Sequence, residues 1–370
     1  LFRRNARNYI DRELTPQAEE WERACTVPRE AFRELGKRGF FGLSYPESVG
    51  GAGGDYWYNI AFSEELQRTG SAGLSLAFGV HAEMATPIIN AIGSKAQKEE
   101  FLIPAINGER IAALGISEPG AGSDFANLQT TARRDGDDYV IDGAKTFITN
   151  GTCADFITLA VRTGQPGMGG ISIILFPTET KGFRVGRKLE KVGNRSSDTA
   201  ELFFDGCRVP ARYMLGEENR GFYYLLANLQ NERLVLAISS LAAARLAIDE
   251  SLAYGRDRRV FGHALTKYQV WRHEFVQLLT ELEAGRSLAY RAADLYVRKK
   301  NCVSEITMAK IFCCELAQRV IDRCLQFHGG YGYMDEYRVS RRWRDIRLMT
   351  IGGGTTEVMR EMLARQLGID

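Results

Sequence analysis

The stretch GISEPGAGSD, residues 115–124, joins a helix-like N-terminal region to a region patterned for strands. Its three glycines let backbone N–H groups approach a bulky anionic ligand, because no Cβ stands in the way. Ser123 and Asp124 are residue types that cap the segment that follows. Taken alone, the stretch predicts a tight loop that tolerates an anion and separates two kinds of structure.

The pattern of residue types changes twice along the chain, which predicts three domains. Residues 1–112 read as helices punctuated by Gly and Pro, for example at 29–37 and 59–69. Residues 113–215 carry short apolar runs bounded by Asp-Gly and Asn-Gly turns, which predict a small antiparallel β-barrel or sandwich. Residues 216–370 contain no proline and predict long helices packed as a four-helix bundle. The predicted fold class is therefore α+β and multi-domain, in the order helical, β, helical.

The composition excludes several classes of protein. A chain of 370 residues exceeds the roughly 250 to 300 at which a single core stops growing. Hydrophobic residues make up 45% and charged residues 25%, as in ordinary globular domains. The net charge of +2 and the interrupted basic blocks argue against nucleic-acid binding. No run approaches the ~18 uninterrupted apolar residues of a membrane span, so none is expected.

The cysteines give an argument about the compartment. There are seven, an odd number without C-x-x-C spacing, which predicts buried free thiols in a reducing environment. The chain begins at Leu1 rather than Met, so the alternative that a targeting peptide has been removed stays open. The expected location is the bacterial cytoplasm, or the mitochondrial matrix if such a peptide has been removed.

Familiar catalytic patterns are missing from the sequence. The four histidines show no ligand spacing, which predicts that there is no metal site. No G-x-S-x-G elbow is present, and no G-x-G-x-x-G lies in a strand-loop-helix setting. The sequence therefore predicts neither a serine hydrolase nor a nicotinamide enzyme.

Residues 115–124 and five further runs resemble the acyl-CoA dehydrogenase family, in the family's order and over nearly the whole chain. These runs are AKTFITNG (144–151), AELFFDGCRVPARYMLGEENRGF (200–222), DRRVFGHAL (257–265), QFHGGYGYM (326–334) and IGGGTTEVMR (351–360). The resemblance implies an FAD enzyme that oxidises an acyl-CoA thioester to its trans-2-enoyl-CoA. It also implies an electron-transfer flavoprotein as the electron acceptor and a homo-oligomer, a dimer at least and usually a dimer of dimers.

The resemblance assigns the cofactor contacts residue by residue. The residues that match the FAD contacts of the family are Leu114, Gly115, Ile116, Ser117, Glu118, Pro119, Gly120, Ala121, Gly122, Ser123, Phe147, Ile148, Thr149, Arg258, Gln269, Gln326, Phe327, His328, Gly329, Gly330, Thr355, Thr356 and Glu357. Among them, Arg258 and residues 326–330 match positions that reach the FAD of a neighbouring subunit. Phe147, where many relatives carry Trp, is expected to keep an aromatic plane near the flavin.

The position of the catalytic base departs from the common family pattern. Many members carry it in a Tyr-Glu-Gly-Thr run, which is matched here by residues 352–355, with Gly353 in place of the glutamate. The long-chain and isovaleryl branches carry the base on an earlier helix, in a Glu-Arg-Leu run matched by residues 232–234. Burial in this apolar helix would raise the pKa of Glu232 towards neutrality, as a base requires. The alternative is that Glu232 is a structural partner of Arg233.

The substrate contacts also follow from the resemblance. The matching residues are Ser123, Tyr223, Gln230, Asn231, Arg233, Gly353 and Gly354. The backbone N–H of Gly353 would serve the thioester oxygen, whereas Tyr223 and Tyr224 either border the acyl chain or pack within their helix.

Other functions remain open at this level. Relatives with this fold act as oxidases or flavin monooxygenases, and a non-catalytic partner subunit is a third hypothesis. For the acyl chain, the runs GFYY (221–224) and HGGYGYM (328–334) favour similarity to the long-chain branch, whereas IGGGTTEV (351–358) is equally close to the isovaleryl branch.

Overall fold

The computed structural model describes residues 1–369, and its N-terminal part is helical. Its helices are α1 (Phe2–Tyr9), α2 (Ala18–Ala24), α3 (Arg29–Lys37), α4 (Tyr56–Leu66), α5 (Ala72–Gly79), α6 (Pro87–Ile92), α7 (Lys95–Gln97) and α8 (Ile103–Ile106), joined by π-helical turns at Ile10–Leu14, Val80–Ala85 and Lys98–Leu102 and by 3-10 turns at Thr15–Gln17, Glu47–Val49 and Gln67–Thr69. Side chains fix some of these boundaries. Asp55 accepts a hydrogen bond from the N–H of Trp57 and caps α4, while Ser94 and Gln97 cap α7 reciprocally.

The segment Ala72–Ile92 runs through α5, a π-helical turn and α6. By length and composition it is the one helical stretch among residues 1–369 that could cross a membrane. However, 67% of its apolar window is buried inside the fold. Such burial is typical of a core helix, so length and composition are weak support for a span.

The middle part of the chain forms a seven-stranded sheet. Its strands are β1 (Ala112–Gly115), β2 (Thr131–Asp135), β3 (Asp138–Thr149), β4 (Phe156–Arg162), β5 (Ile171–Pro177), β6 (Phe183–Lys188) and β7 (Thr199–Pro210), with 3-10 turns at Phe125–Asn127, Met168–Gly170 and Ala211–Tyr213. They follow the order β1-β4-β2-β3-β7-β6, and β5 pairs with β4. Most pairs are antiparallel, as predicted, but β4 runs parallel to β1 and meets β2 in parallel at its end. The sheet is therefore mixed.

The longest strand pair contains a bulge. Between β3 and β7 the register shifts in the interval from Lys145 to Ile148. A bulge of this kind bends a strand and re-aims a side chain, here Phe147.

The C-terminal part is again helical. Its elements are α9 (Gly221–Asp257), the hairpin β8 (Arg259–Val260) and β9 (His263–Ala264), α10 (Gln269–Val297), α11 (Val303–His328), α12 (Arg338–Ile346) and α13 (Thr356–Leu367), with 3-10 turns at Leu265–Lys267, Gly329–Tyr333 and Arg347–Thr350. The absence of proline after Pro210 lets α9, α10 and α11 run for 37, 29 and 26 residues. The predicted order of helical, β and helical parts is confirmed.

Helix α9 belongs to two hydrophobic cores. Phe222 and Leu225 near its start pack into the core around the sheet. Leu234 and the residues after it pack into the core between the C-terminal helices. Residues 226–233 therefore lie at the junction of the two cores, and this position places Glu232 deep in the molecule.

Candidate active site

The loop after β1 offers an open backbone surface. The N–H of Glu118 donates to the carbonyl of Ala121 at 2.9 Å, and the N–H of Ala121 donates back at 3.1 Å, which closes a tight turn. Gly120 and Gly122 are exposed, and a Cβ on either would meet no atom within 4 Å. Ser123 beside them is also exposed. These residues can reach a ligand, whereas Ala121 is buried.

A buried ion pair anchors this loop to the sheet. The Nζ of Lys145 donates to Oε1 of Glu118 at 2.7 Å and to the carbonyl of Ile116 at 3.1 Å. The same carboxylate accepts hydrogen bonds from the N–H groups of Gln129 and Thr130. Burial lowers the pKa of Lys145 to about 8, although Glu118 opposes the shift. The carboxylate of Glu118 is thus occupied internally, which leaves only its backbone for the predicted cofactor contact.

The side chain of Phe147 projects from strand β3 and is exposed. The residue is 69% exposed, and its φ of 60° lies in the left-handed region that non-glycine residues rarely adopt. The neighbouring N–H of Thr146 donates to the carbonyl of Ser117 at 2.9 Å, so the strand and the glycine loop are directly joined. Ile148 is buried in the sheet core and Thr149 is half-buried. A strained, exposed aromatic beside an anion-tolerant loop is the arrangement expected of a wall for a flat ring.

Glu232 is a buried carboxyl without a hydrogen-bond partner among residues 1–369. Burial raises its pKa to about 7, while the nearby cations Arg233 and Lys310 act in the opposite direction. A carboxyl with a pKa near neutrality is suited to general-base catalysis at physiological pH. The prediction from the apolar setting of helix α9 therefore agrees with the raised pKa.

The loop between α12 and α13 brings Gly353 to Glu232. A Cβ on Gly353 would lie 3.3 Å from Oε1 of Glu232 and 2.8 Å from Cδ1 of Leu236. The Nε of Arg233 donates to the carbonyl of Gly353 at 3.0 Å. The two positions that the resemblance offers for the base thus face the same small volume, and here only one of them holds a carboxylate. Arg233 binds the loop rather than pairing with Glu232 in a salt bridge.

Two buried polar atoms near this volume have no hydrogen-bond partner within residues 1–369. They are Nη1 of Arg233 and Oγ1 of Thr356. Buried polar groups are normally satisfied, so each is available to a bound molecule. Thr355 caps α13 by accepting from the N–H of Val358, Gly354 is half-buried and Glu357 is exposed.

Sequence reasoning missed one residue of the site, Lys310 on α11. Its side chain is fully buried, and its Nζ donates to the carbonyl of Gly354 at 2.5 Å. No motif isolates it, because its partner lies 44 residues further along the chain.

A mostly apolar cavity opens beside Leu236, between helices α4, α5 and α9. The small residues of its wall are Ser63, Gly70, Ala72, Ser75, Gly79, Ala82, Ser239, Ser240 and Ala243. A Cβ on Gly79 would meet no atom within 4 Å, so the space beside it is open. Chains of methylene groups fit such a space.

The remaining predicted substrate contacts on α9 differ in availability. Tyr223 is 48% exposed and lies under the guanidinium of Arg220. Asn231 is buried and its Nδ2 donates to the carbonyl and to Oε2 of Glu83, so its amide nitrogen serves the fold. Gln230 is half-buried, and its Oε1 has no partner within the described residues.

The residues expected to reach a neighbouring subunit form a separate groove. Arg258, Gln326, Gly329 and Gly330 line it and are exposed. No residue of the loop 114–123 lines this groove. The side chains of Phe327 and His328 are buried, Phe327 against two aromatic rings of α10, so they support the groove from below.

Gln269 lies outside the lining of that groove. It is exposed at the start of α10, where its amide nitrogen lies 3.4 Å from Nε2 of His273.

Together these residues fit a flavin dinucleotide. The open glycine backbone suits phosphates, the exposed ring of Phe147 suits an isoalloxazine, and the unpartnered Thr356 hydroxyl supplies a buried polar contact. Within residues 1–369, no group of three or more His, Cys, Asp or Glu side chains is placed to hold a metal ion. Fold and site thus define a three-part flavoprotein oxidoreductase.

Comparison with known proteins agrees with this class. The N-terminal, middle and C-terminal domain models of acyl-CoA dehydrogenases match residues 1–109, 113–207 and 219–368. The chain is 37% identical to the mitochondrial long-chain specific acyl-CoA dehydrogenase of Rattus norvegicus, covering 100% of this chain and 86% of that protein. It is 34% identical to the caffeyl-CoA reductase-Etf complex subunit CarC of Acetobacterium woodii, covering 99% and 97%. The crystal structure of a probable acyl-CoA dehydrogenase from Mycobacterium abscessus superposes with a TM-score of 0.97 at 40% identity, covering 99% and 98%.

The chain belongs to the acyl-CoA dehydrogenase family. It is an enzyme of that family.

Proposed function

We propose that this enzyme binds FAD and oxidises an acyl-CoA thioester to trans-2-enoyl-CoA, with Glu232 as the catalytic base. One observation carries the assignment: Oε1 of Glu232 lies 3.3 Å from the point where a side chain on Gly353 would begin. The residue at position 353 brings no carboxylate, whereas Glu232 places one against this volume. Its pKa, raised by burial to about 7, supports the role.

Different residues of the site have different roles in the proposed reaction. When bound, FAD supplies the acceptor for the hydride that leaves the β-carbon. The backbone of loop 115–123, the ring of Phe147 and the hydroxyl of Thr356 would hold it. The carboxylate of Glu232 takes the proton from the α-carbon. The N–H of Gly353 donates to the thioester oxygen, where negative charge develops as this proton leaves.

The acyl chain would lie in the apolar cavity beside Leu236. One wall extends from Ala72 along α5 to Ala82 in the π-helical turn that follows, ten residues, or about 15 Å at the rise of an α-helix. Small side chains along this wall keep the space open, and this supports a long, straight acyl chain as the substrate.

The proposals for partner and assembly rest on the resemblance to the family. We propose that an electron-transfer flavoprotein takes the electrons, since the Acetobacterium woodii relative is named as a subunit of an Etf complex. We also propose a homo-oligomer, a dimer of dimers, in which the groove around Arg258 meets the FAD of the neighbouring subunit. The proposed compartment is the cytoplasm of a bacterium or the mitochondrial matrix.

The test of this function is the rate of flavin bleaching when acyl-CoA is mixed anaerobically with the purified protein. Glu232→Gln should keep bound FAD and acyl-CoA but slow the bleaching by roughly 10² to 10⁴, the usual contribution of a general base. Gln keeps the shape of the side chain and lacks the proton acceptor. Bleaching at the wild-type rate would show that the base lies elsewhere.

Glu83 provides the matched comparison. It is also a buried carboxyl with a raised pKa, and it lines the same cavity. Its carboxylate already accepts hydrogen bonds from Tyr56, Asn59 and Asn231. Glu83→Gln should therefore slow bleaching far less than Glu232→Gln. The reverse order would transfer the role to Glu83, and a colourless wild-type protein would favour a non-catalytic subunit.

A further inference from the structure

Lys310 is a buried cation without a carboxylate in salt-bridge contact among residues 1–369. A buried ammonium without a close anion is costly, so its retention calls for a compensating interaction. The interaction present is a 2.5 Å hydrogen bond from its Nζ to the carbonyl of Gly354. This bond ties helix α11 to the loop that carries Gly353.

Two buried cations hold consecutive carbonyls of this loop. Arg233 on α9 binds the carbonyl of Gly353 through Nε, and Lys310 on α11 binds the carbonyl of Gly354. Gly353 and Gly354 have φ values of 67° and 104°, a conformation that glycine adopts at little cost but that nothing local enforces. These bonds hold the Gly353–Gly354 and Gly354–Thr355 peptide planes, so the backbone that directly follows the N–H of Gly353 is anchored.

The charges that act on Glu232 come from two helices. Arg233 faces it from α9 and Lys310 from α11, and both lower its pKa against the larger effect of burial. Lys310 in turn faces Cys314 on its own helix, Arg233 and Glu232 on α9, and Glu357 on α13. Loss of the Lys310 charge would leave one cation, Arg233, to stabilise the Glu232 anion.

We propose that Lys310 is a positioning residue of the reaction: it fixes the Gly353–Gly354 loop so that the Gly353 N–H meets the thioester oxygen, and it stabilises the anionic form of Glu232. This inference rests on the proposed role of Glu232 as base. It predicts two separate effects of Lys310, one on the pH dependence of the reaction and one on recognition of the thioester carbonyl.

The pH dependence is tested with Lys310→Met, which keeps the length of the side chain and removes its charge. The midpoint of the pH profile of anaerobic flavin bleaching should move upward by about one unit or more, the usual effect of a neighbouring charge. The matched control is Lys191→Met. Lys191 is also a largely buried lysine whose Nζ donates to a backbone carbonyl, that of Ser197, and it lies outside the site. Its variant should keep the wild-type midpoint.

Carbonyl recognition is tested by binding rather than turnover. An acyl-CoA thioester and a thioether analogue without the carbonyl oxygen are titrated into each variant. Lys310→Met should bind the thioester roughly tenfold more weakly, the value of one hydrogen bond, and bind the thioether as before. If Lys310→Met does not fold, Lys310→Arg, which keeps the charge and a donor, should show the wild-type midpoint and ligand ratio.

The outcomes separate the two proposals. Rapid bleaching by Glu232→Gln would overturn the proposed base. Slow bleaching by Glu232→Gln combined with an unchanged midpoint and an unchanged ligand ratio in Lys310→Met would overturn the role of Lys310 alone. A shift of the pH midpoint in Lys310→Arg as well would also count against the role of Lys310, because that variant retains the positive charge.

Discussion

At the scale of single residues, the pKa of Glu232, the proposed base, depends on a balance of opposing effects. Burial raises its pKa to about 7, and Arg233 and Lys310 limit the rise. Only the ionised form accepts a proton, so the rate of flavin bleaching should fall as the pH decreases below about 7. The same shift affects folding: above the ordinary pKa of 4.5, the unfolded chain loses a proton that the native state retains. The contribution of Glu232 to stability therefore decreases as the pH rises from about 4.5 to 7.

Residue 353 supplies a test of this geometry. In the double variant Glu232→Gly and Gly353→Glu, the carboxylate enters the same volume from the opposite wall and should recover part of the rate lost in Glu232→Gly. Recovery is expected to be partial, about tenfold of the roughly 10² to 10⁴ lost. The new Cβ would lie 2.8 Å from Leu236, and the φ of 67° is strained for glutamate.

Adding Leu236→Ala removes the clash in this double variant and should increase the recovery. Stopped-flow bleaching of the FAD-loaded variants measures it. A double variant that binds FAD and acyl-CoA but is as slow as Glu232→Gly would contradict a shared volume.

The sequence predicted some of these residues and not others, for a physical reason. The burial of Glu232 was predictable, because its apolar neighbours lie on the same helix. Lys310 and the pairing of Glu118 with Lys145 were not, because each partner comes from a distant segment, 44 and 27 residues away. Local patterns carry no information on which of several lysines a fold will bury.

At the scale of elements, helices α5 and α9 shape the cavity proposed for the acyl chain through small side chains. Gly79 ends α5, lines the cavity and faces open space. Gly79→Leu should fill this space and lower kcat/KM for a 16-carbon acyl-CoA relative to a 4-carbon one, by roughly tenfold or more for a side chain of this size. Gly79→Ala, which adds a single methyl group, is the intermediate variant between the wild type and Gly79→Leu.

The ratio of the two kcat/KM values is the decisive measurement, since a general loss of folding would lower both. An equal loss for both chain lengths would show that the chain does not pass Gly79. Thermal unfolding gives the control: alanine in place of this helical glycine should not destabilise the protein.

The elements themselves were largely predictable, and their pairing was not. The helix expected at 29–37 appears as α3 at Arg29–Lys37, and the one expected at 59–69 overlaps α4 at Tyr56–Leu66. Strand β3 runs for 12 residues, because it pairs with β7 through a bulge. The parallel contact of β1 with β4 depends on a long connection, which turn residues cannot reveal.

At the scale of the whole molecule, the two surfaces proposed to contact FAD lie in separate places. The glycine loop and Phe147 belong to the sheet, whereas the groove around Arg258 belongs to the C-terminal helices. This separation is physically reasonable if the groove serves the FAD of a second subunit. Assembly and cofactor binding would then depend on the same residues.

Arg258→Ala should therefore weaken FAD retention and subunit association together. The guanidinium of Arg258 lies over the ring of Tyr331 and is exposed, so its removal leaves the fold intact while a charged donor to a pyrophosphate is lost. Charge-assisted hydrogen bonds are worth about 1.5 to 3 kcal/mol, which predicts FAD binding weaker by roughly ten- to a hundredfold. Flavin absorbance after gel filtration and mass by light scattering measure the two properties on one sample.

Arg256→Ala is the matched control, because Arg256 is an exposed arginine at the same helix end but outside the groove. This variant should change neither FAD retention nor subunit association. A monomeric Arg258→Ala protein that retains FAD like the wild type would show that the groove holds subunits together without touching the cofactor.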